Sequence, residues 1–265
     1  MVPESPHSFS VQTPLRKAAW DNGFRLERSA QNDWLRFGSN TAQGDIWLAG
    51  AGPTGPWFLA LERPEIAEEI KIRDRPQAIL GAPGAASFRF DTLAQLYPVL
   101  DRTWRLGVSL PEAPLKKFRA AIIGLPQSTE AERLVVQRIG QSLFRDALMA
   151  YWHGTCPMTG ITDLALLRAS HIVPWAECET DEQRLDVHNG LLLSALWDAA
   201  FDAGLITFAD DGTVLSTPKL SSMGADALNV STSPKLAGLT AGHRGNLQKH
   251  RARSLFGRHE ATETS

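Results

Sequence analysis

The 265-residue chain has only two cysteines, Cys156 and Cys178, and no stretch approaching 18 consecutive apolar residues. Two thiols exclude a disulfide framework and a four-thiolate zinc site. The shortage of long apolar runs excludes a helical membrane span. The start, Met1-Val2-Pro3-Glu4-Ser5-Pro6, lacks the basic and apolar stretches of a secretory leader, so the expected location is the cytoplasm. Neither sign of charge is in excess. With 27 Lys and Arg against 29 Asp and Glu, the net charge of −2 excludes a general basic coat, and any nucleic-acid contact has to come from a local patch. What the chain does have is 43% hydrophobic residues, over a length that suits one large domain or two ordinary ones.

Composition shifts predict an α+β chain in parts: a loose start over 1–12, a mixed α/β domain over 13–110, a linker over 111–129, a second domain over 130–256 and a disordered tail over 257–265. In the first domain, short apolar-aromatic runs such as Trp34-Leu35-Arg36-Phe37 and Trp57-Phe58-Leu59-Ala60-Leu61 are separated by Gly, Asn and Pro turns, as strands are. A helix is expected from Pro64 to Ile70, and another from a cap at Asp91 through Trp104. Five of the eight tryptophans, Trp20, Trp34, Trp47, Trp57 and Trp104, fall here, where a ring fills core or stacks on an extruded base. The second domain opens on a capping box, Thr129 and Glu132, ahead of apolar residues at helical spacing from Leu134 to Leu148.

The chemistry is concentrated between Ala169 and Asp202. A strand end carries His171, the turn-forming Asn189-Gly190 follows a loop, and a short helix carries Asp198 and Asp202. Residues four apart share a helix face about 6 Å apart, and two carboxylates at that spacing suit a hard divalent cation such as Mg²⁺. An imidazole with a free pKa of about 6.5 takes a proton from water at neutral pH. A cation with a base is a minimal kit for hydrolysing a phosphodiester.

These residues, in this order, carry a resemblance. Cys156-Pro157-Met158-Thr159-Gly160, Ser170-His171-Ile172-Val173-Pro174-Trp175, Asn189-Gly190-Leu191 and Phe201-Asp202-Ala203-Gly204-Leu205-Ile206 resemble the HNH endonucleases, which have a ββα-metal fold. The likeness runs from about Glu132 to Ser216 and implies a C-terminal HNH nuclease domain behind an N-terminal recognition domain. It also implies His171 as general base and Asn189 as the brace that orients it, with Asp198 and Asp202 as ligands for Mg²⁺ or Mn²⁺. Ser170 stands where relatives often have Asp or His, and the paired Cys-x-x-Cys knuckles of many relatives are missing, so no structural zinc is expected.

The implied partner is DNA, with Arg168 and a basic C-terminal stretch (Lys249, Arg251, Arg253, with His243 and His250 nearby) as backbone contacts. The implied biology is restriction of foreign DNA, of modified DNA in one version. One active site per chain favours a homodimer for a double-strand cut. Two alternatives share the sequence: an effector nuclease of low specificity, and a non-catalytic DNA-binding protein with a decayed metal site.

Overall fold

The computed structural model describes residues 3–72, 74–126 and 128–256. Two compact units divide the chain, Met1–Ala113 and Pro114–Ser265. The expected tail over 257–265 lies outside the described residues. Among those described, no helix is long and apolar enough to cross a membrane.

The first unit is a five-stranded antiparallel sheet whose strands follow one another in chain order: β1 (Leu26–Gln31), β2 (Trp34–Gly38), β3 (Ile46–Gly50), β4 (Trp57–Leu61) and β5 (Ala86–Phe90). Helix α1 (Phe9–Asp21) precedes it, α2 (Pro64–Lys71) joins β4 to β5, and α3 (Leu93–Ser109) follows β5. Every residue of β3 and β4 is buried, so these strands read as continuous apolar runs without alternation. One face meets α1, α2 and α3. The other carries a separate cluster of Trp34, Trp47 and Phe58, onto which Ile79 and Ala82 fold from the loop before β5. Trp34, Trp47 and Trp57 are therefore core, while Trp20 is exposed.

Two expectations are corrected here. From residue 3 on, the start is not loose: α1 begins at Phe9, Val11 is fully buried, and Glu4 N–H donates to Gly50 O at 2.8 Å. Composition flags prolines and serines but cannot register docking onto a strand far along the chain. The cap of α3 is Thr92, whose Oγ1 accepts from Gln95 N–H at 3.3 Å, and the helix runs on to Ser109. Within the expected linker lie α4 (Glu112–Ile122) and, after it, Gly124 at φ +76°, and the division between the two units falls at its start.

In the second unit, α5 (Glu130–Tyr151) starts from the expected capping box. Thr129 Oγ1 accepts from Glu132 N–H at 3.2 Å, and Glu132 Oε2 accepts from Thr129 N–H at 2.8 Å. It packs against a two-stranded ribbon of β6 (Leu167–His171) and β7 (Gly190–Ser194), paired antiparallel from Leu167 opposite Ser194 to His171 opposite Gly190. Short helix α6 (Asp181–Leu185) lies in the loop between them, and α7 (Ala195–Asp202) follows β7 directly. A hairpin of β8 (Ile206–Phe208) and β9 (Val214–Ser216), then α8 (Ser222–Ala227) and α9 (Ala241–Arg251), completes the unit. Cys156, Leu191, Trp197, Phe201 and Leu247 lie in one core, with Cys156 a small buried apolar residue.

Two histidines of α9 are sealed into this unit. His250 stacks on Phe201 with ring centroids 3.9 Å apart, donates Nε2–H to Phe201 O and accepts at Nδ1 from the Thr207 hydroxyl at 2.9 Å. Burial lowers its pKa to about 4, and burial first, then the neighbouring His188, lowers that of His243 to about 3. In the unfolded chain both take protons near pH 6.5. Stability is thus fully present above that pH and is lost as pH falls towards 4, where His250 alone costs on the order of 3 kcal/mol. Thermal unfolding followed from pH 7.5 to 4.5 is expected to show a steep fall in Tm; a flat profile would refute the two buried neutral rings.

Candidate active site

The β6–β7 ribbon followed by α7 places the expected residues. On β6, consecutive side chains point to opposite faces. Ser170, 2% exposed, turns its hydroxyl towards α7, where it donates to Asp202 Oδ1 at 3.3 Å and lies near enough to Asp198 to oppose the rise of its pKa. The two carboxylates thus share one helix face, with the Ser170 hydroxyl beside them. Desolvation raises the pKa of both, and for Asp202 the charge of Asp198 adds to it. Arg168 acts against the rise at Asp198, and Arg253 against that at Asp202. A pair of carboxyls held above the usual carboxylate range by burial and mutual repulsion is relieved by a cation. The donor set, two carboxylates and a hydroxyl, is all oxygen and fits a hard ion that keeps waters or takes phosphate oxygens. Among the described residues, no group of three or more His, Cys, Asp or Glu side chains could hold a metal; at this place the two carboxylates have the Ser170 hydroxyl beside them.

His171, next along β6, sits in a different setting. Its ring lies flat on Phe144 of α5, centroids 3.7 Å apart, and meets Trp175 edge-on at 5.7 Å. Nε2–H donates to Arg184 O at 2.9 Å, which leaves Nδ1 with the lone pair. Burial lowers the pKa of His171, so the ring is neutral at pH 7. Among the described residues, no hydrogen bond or ring contact joins His171 to Asp198 or Asp202. The structure therefore brings the acid pair and Ser170 together and leaves the imidazole as a neighbour on the same strand.

Asn189 is 3% exposed in a 3-10 turn at the entrance to β7. Its Oδ1 accepts from Val173 N–H at 2.8 Å, and its Nδ2 donates to Val173 O and Gln183 O at 3.1 and 3.2 Å. Its backbone carbonyl accepts from Ile172 N–H at 2.9 Å. One amide thereby fixes both ends of the loop that leaves His171. Gly190 is required next: a Cβ there would fall 2.5 Å from Phe144 Cζ.

The expected basic patch is mostly engaged within the unit. Arg251 donates to Phe208 O and pairs with Asp210, and Arg253 donates to Ile172 O and pairs with Glu177. His243 and His250 are buried and uncharged, so they add nothing to a surface patch. Lys249 and Arg168 are exposed, although Arg168 also donates to Ala165 O and Leu167 O. Helix periodicity could not find Phe144 and Arg184 as site residues. Phe144 reads as one more apolar position of α5, and the contribution of Arg184 to His171 is a backbone carbonyl. A cavity of about 660 Å³ beside the first turn of α7, lined by Met158, Ile161, Leu196 and Trp197 among others, includes neither His171 nor the carboxylates.

An antiparallel ribbon bearing a histidine, backed by a helix bearing paired carboxylates, has the layout of a ββα nuclease module. Residues 156–209 match the family model described as HNH endonuclease, and the chain carries an HNH endonuclease domain over that stretch. No curated protein matches the chain.

Proposed function

We propose that this protein is a DNA endonuclease dependent on a divalent metal, acting in restriction of foreign DNA. The observation that carries the reading is the meeting of Ser170, next to His171 on β6, with Asp198 and Asp202 of α7, inside the matched stretch. Asp198 and Asp202, with the Ser170 hydroxyl, would hold Mg²⁺ or Mn²⁺. When bound there, the ion supplies positive charge to the scissile phosphate and the leaving oxygen.

His171 takes a proton from the attacking water at Nδ1, the nitrogen left free by the bond to Arg184 O. Asn189 holds the loop after His171 in place. Arg168, already close enough to influence Asp198, meets the phosphate, and Lys249 adds a backbone contact. Cleavage leaves 5′-phosphate and 3′-hydroxyl ends. A compact first unit ahead of the nuclease domain supports target recognition by that unit, modified bases included, and a paired cut on both strands favours a homodimer.

The test is incubation of the purified protein with unmodified and modified plasmid DNA in Mg²⁺, Mn²⁺ and EDTA. Expected is cleavage with either ion and intact plasmid in EDTA. Cleavage that persists in EDTA would remove the metal from the proposal, and intact DNA in every condition would remove the nuclease.

A further inference from the structure

The family match ends at residue 209, yet the segment from 241 to 256 reaches each part of the site. Near its start, Asn246 Nδ2 donates to His188 O at 3.0 Å, gripping the turn that carries Asn189. One turn on, His250 stacks on Phe201 and donates to its carbonyl, which fixes α9 against the helix of Asp198 and Asp202. The helix then widens into a π-helical turn, Ala252–Phe256, a local geometry found disproportionately at functional sites. That turn delivers Arg253.

The Arg253 guanidinium has two partners, Ile172 O at 3.1 Å and Glu177 Oε2 at 3.0 Å. They flank the loop that leaves His171, and between them lies Trp175, whose ring touches the imidazole. The same cation lies close enough to Asp202 to oppose its upward pKa shift. A planar fork with several donors can hold two acceptors on different segments at once, which a lysine cannot do with the same geometry.

We propose that α9 and its π turn form a clamp on the active-site loop, with Arg253 as the positioning residue that sets Trp175 and, through it, His171. The proposal rests on the nuclease reading and differs from the sequence expectation of Arg253 as a DNA-backbone contact. The two roles separate kinetically. A backbone contact acts on DNA affinity, whereas misplacing a reacting group by about 1 Å costs up to about 100-fold in the chemical step.

The experiment compares full-length wild type, Arg253→Gln, Arg253→Lys and Glu177→Gln. It reads single-turnover cleavage at saturating DNA, the DNA Kd, and amide hydrogen exchange over residues 172–178. Expected for Arg253→Gln is a rate about 10- to 100-fold lower, with the Kd nearly unchanged and faster exchange in the loop. Arg253→Lys should recover part of the rate. Glu177→Gln keeps an amide oxygen that can still accept from Arg253, and the bond to Ile172 O is untouched, so its rate should fall by less than that of Arg253→Gln. A weakened Kd with an unchanged saturating rate, equal effects of Arg253→Gln and Glu177→Gln, or unaltered exchange would each overturn the clamp. Should wild type cut no DNA, the nuclease reading fails by itself, and the exchange data still decide whether Arg253 fixes the loop.

Discussion

Replacing His171 with alanine is expected to slow single-turnover DNA cleavage by about 10²- to 10⁴-fold, the contribution of a positioned general base, while leaving DNA and metal binding near wild type. The side chain lost touches Phe144, Trp175 and Arg184 O but neither carboxylate, so the ion site should survive the change. The pH dependence carries the same assignment. Burial against Phe144 depresses the pKa of His171, and the neutral ring is the active form. The logarithm of the wild-type rate should therefore rise with pH and level off at an inflection below about 6.5, and that inflection should vanish in His171→Ala. Rates measured from pH 5 to 8 check both points. Cleavage within a few-fold of wild type, or an unchanged profile in the variant, would strip His171 of the role.

Asp198→Ala and Asp202→Ala are each expected to abolish detectable Mn²⁺ binding by calorimetry, with cleavage lost in parallel. A second readout has the opposite sign. In the metal-free protein the two carboxyls are partly desolvated and repel one another, so removing either should leave Tm unchanged or slightly raised. In wild type, millimolar Mn²⁺ should raise Tm, by more as the ion concentration climbs further above the Kd, and the rise should disappear in both variants. Binding should also strengthen with pH, since a bound ion requires both carboxyls ionised and their pKa values are shifted up. Wild-type affinity for Mn²⁺ that survives both substitutions would place the ion elsewhere. No affinity in wild type would favour a decayed site, for which Ser170 is the departure to blame.

The second unit was more legible in sequence than the first, for a physical reason. Its signals are local: Thr129 and Glu132 cap their own helix three residues apart, and Asp198 and Asp202 share a face because a helix turns every 3.6 residues. Asn189-Gly190 likewise marks the entrance to β7, although the turn before it is a 3-10 turn. What escaped depends on contacts between distant residues. The Pro- and Ser-rich start reads as loose, yet His7 accepts from Gly50 N–H and Val11 packs beneath β3. The basic run from Lys249 to Arg253 reads as a surface for DNA, but two of its three cations are engaged by the Phe208 and Ile172 carbonyls and by Asp210 and Glu177, all far away in the chain. His243 and His250 could be read as charged only because a sequence does not show what covers a ring. Periodicity finds faces; it does not say what each face meets.

The Phe144 ring beneath His171 bears on how such an enzyme would recover between turnovers. A shelf that excludes water makes the imidazole reluctant to stay charged, but its electron-rich face still favours a cation resting on it. A proton picked up in one hydrolytic event would be tolerated briefly and then shed to bulk solvent, readying the site for the next strand.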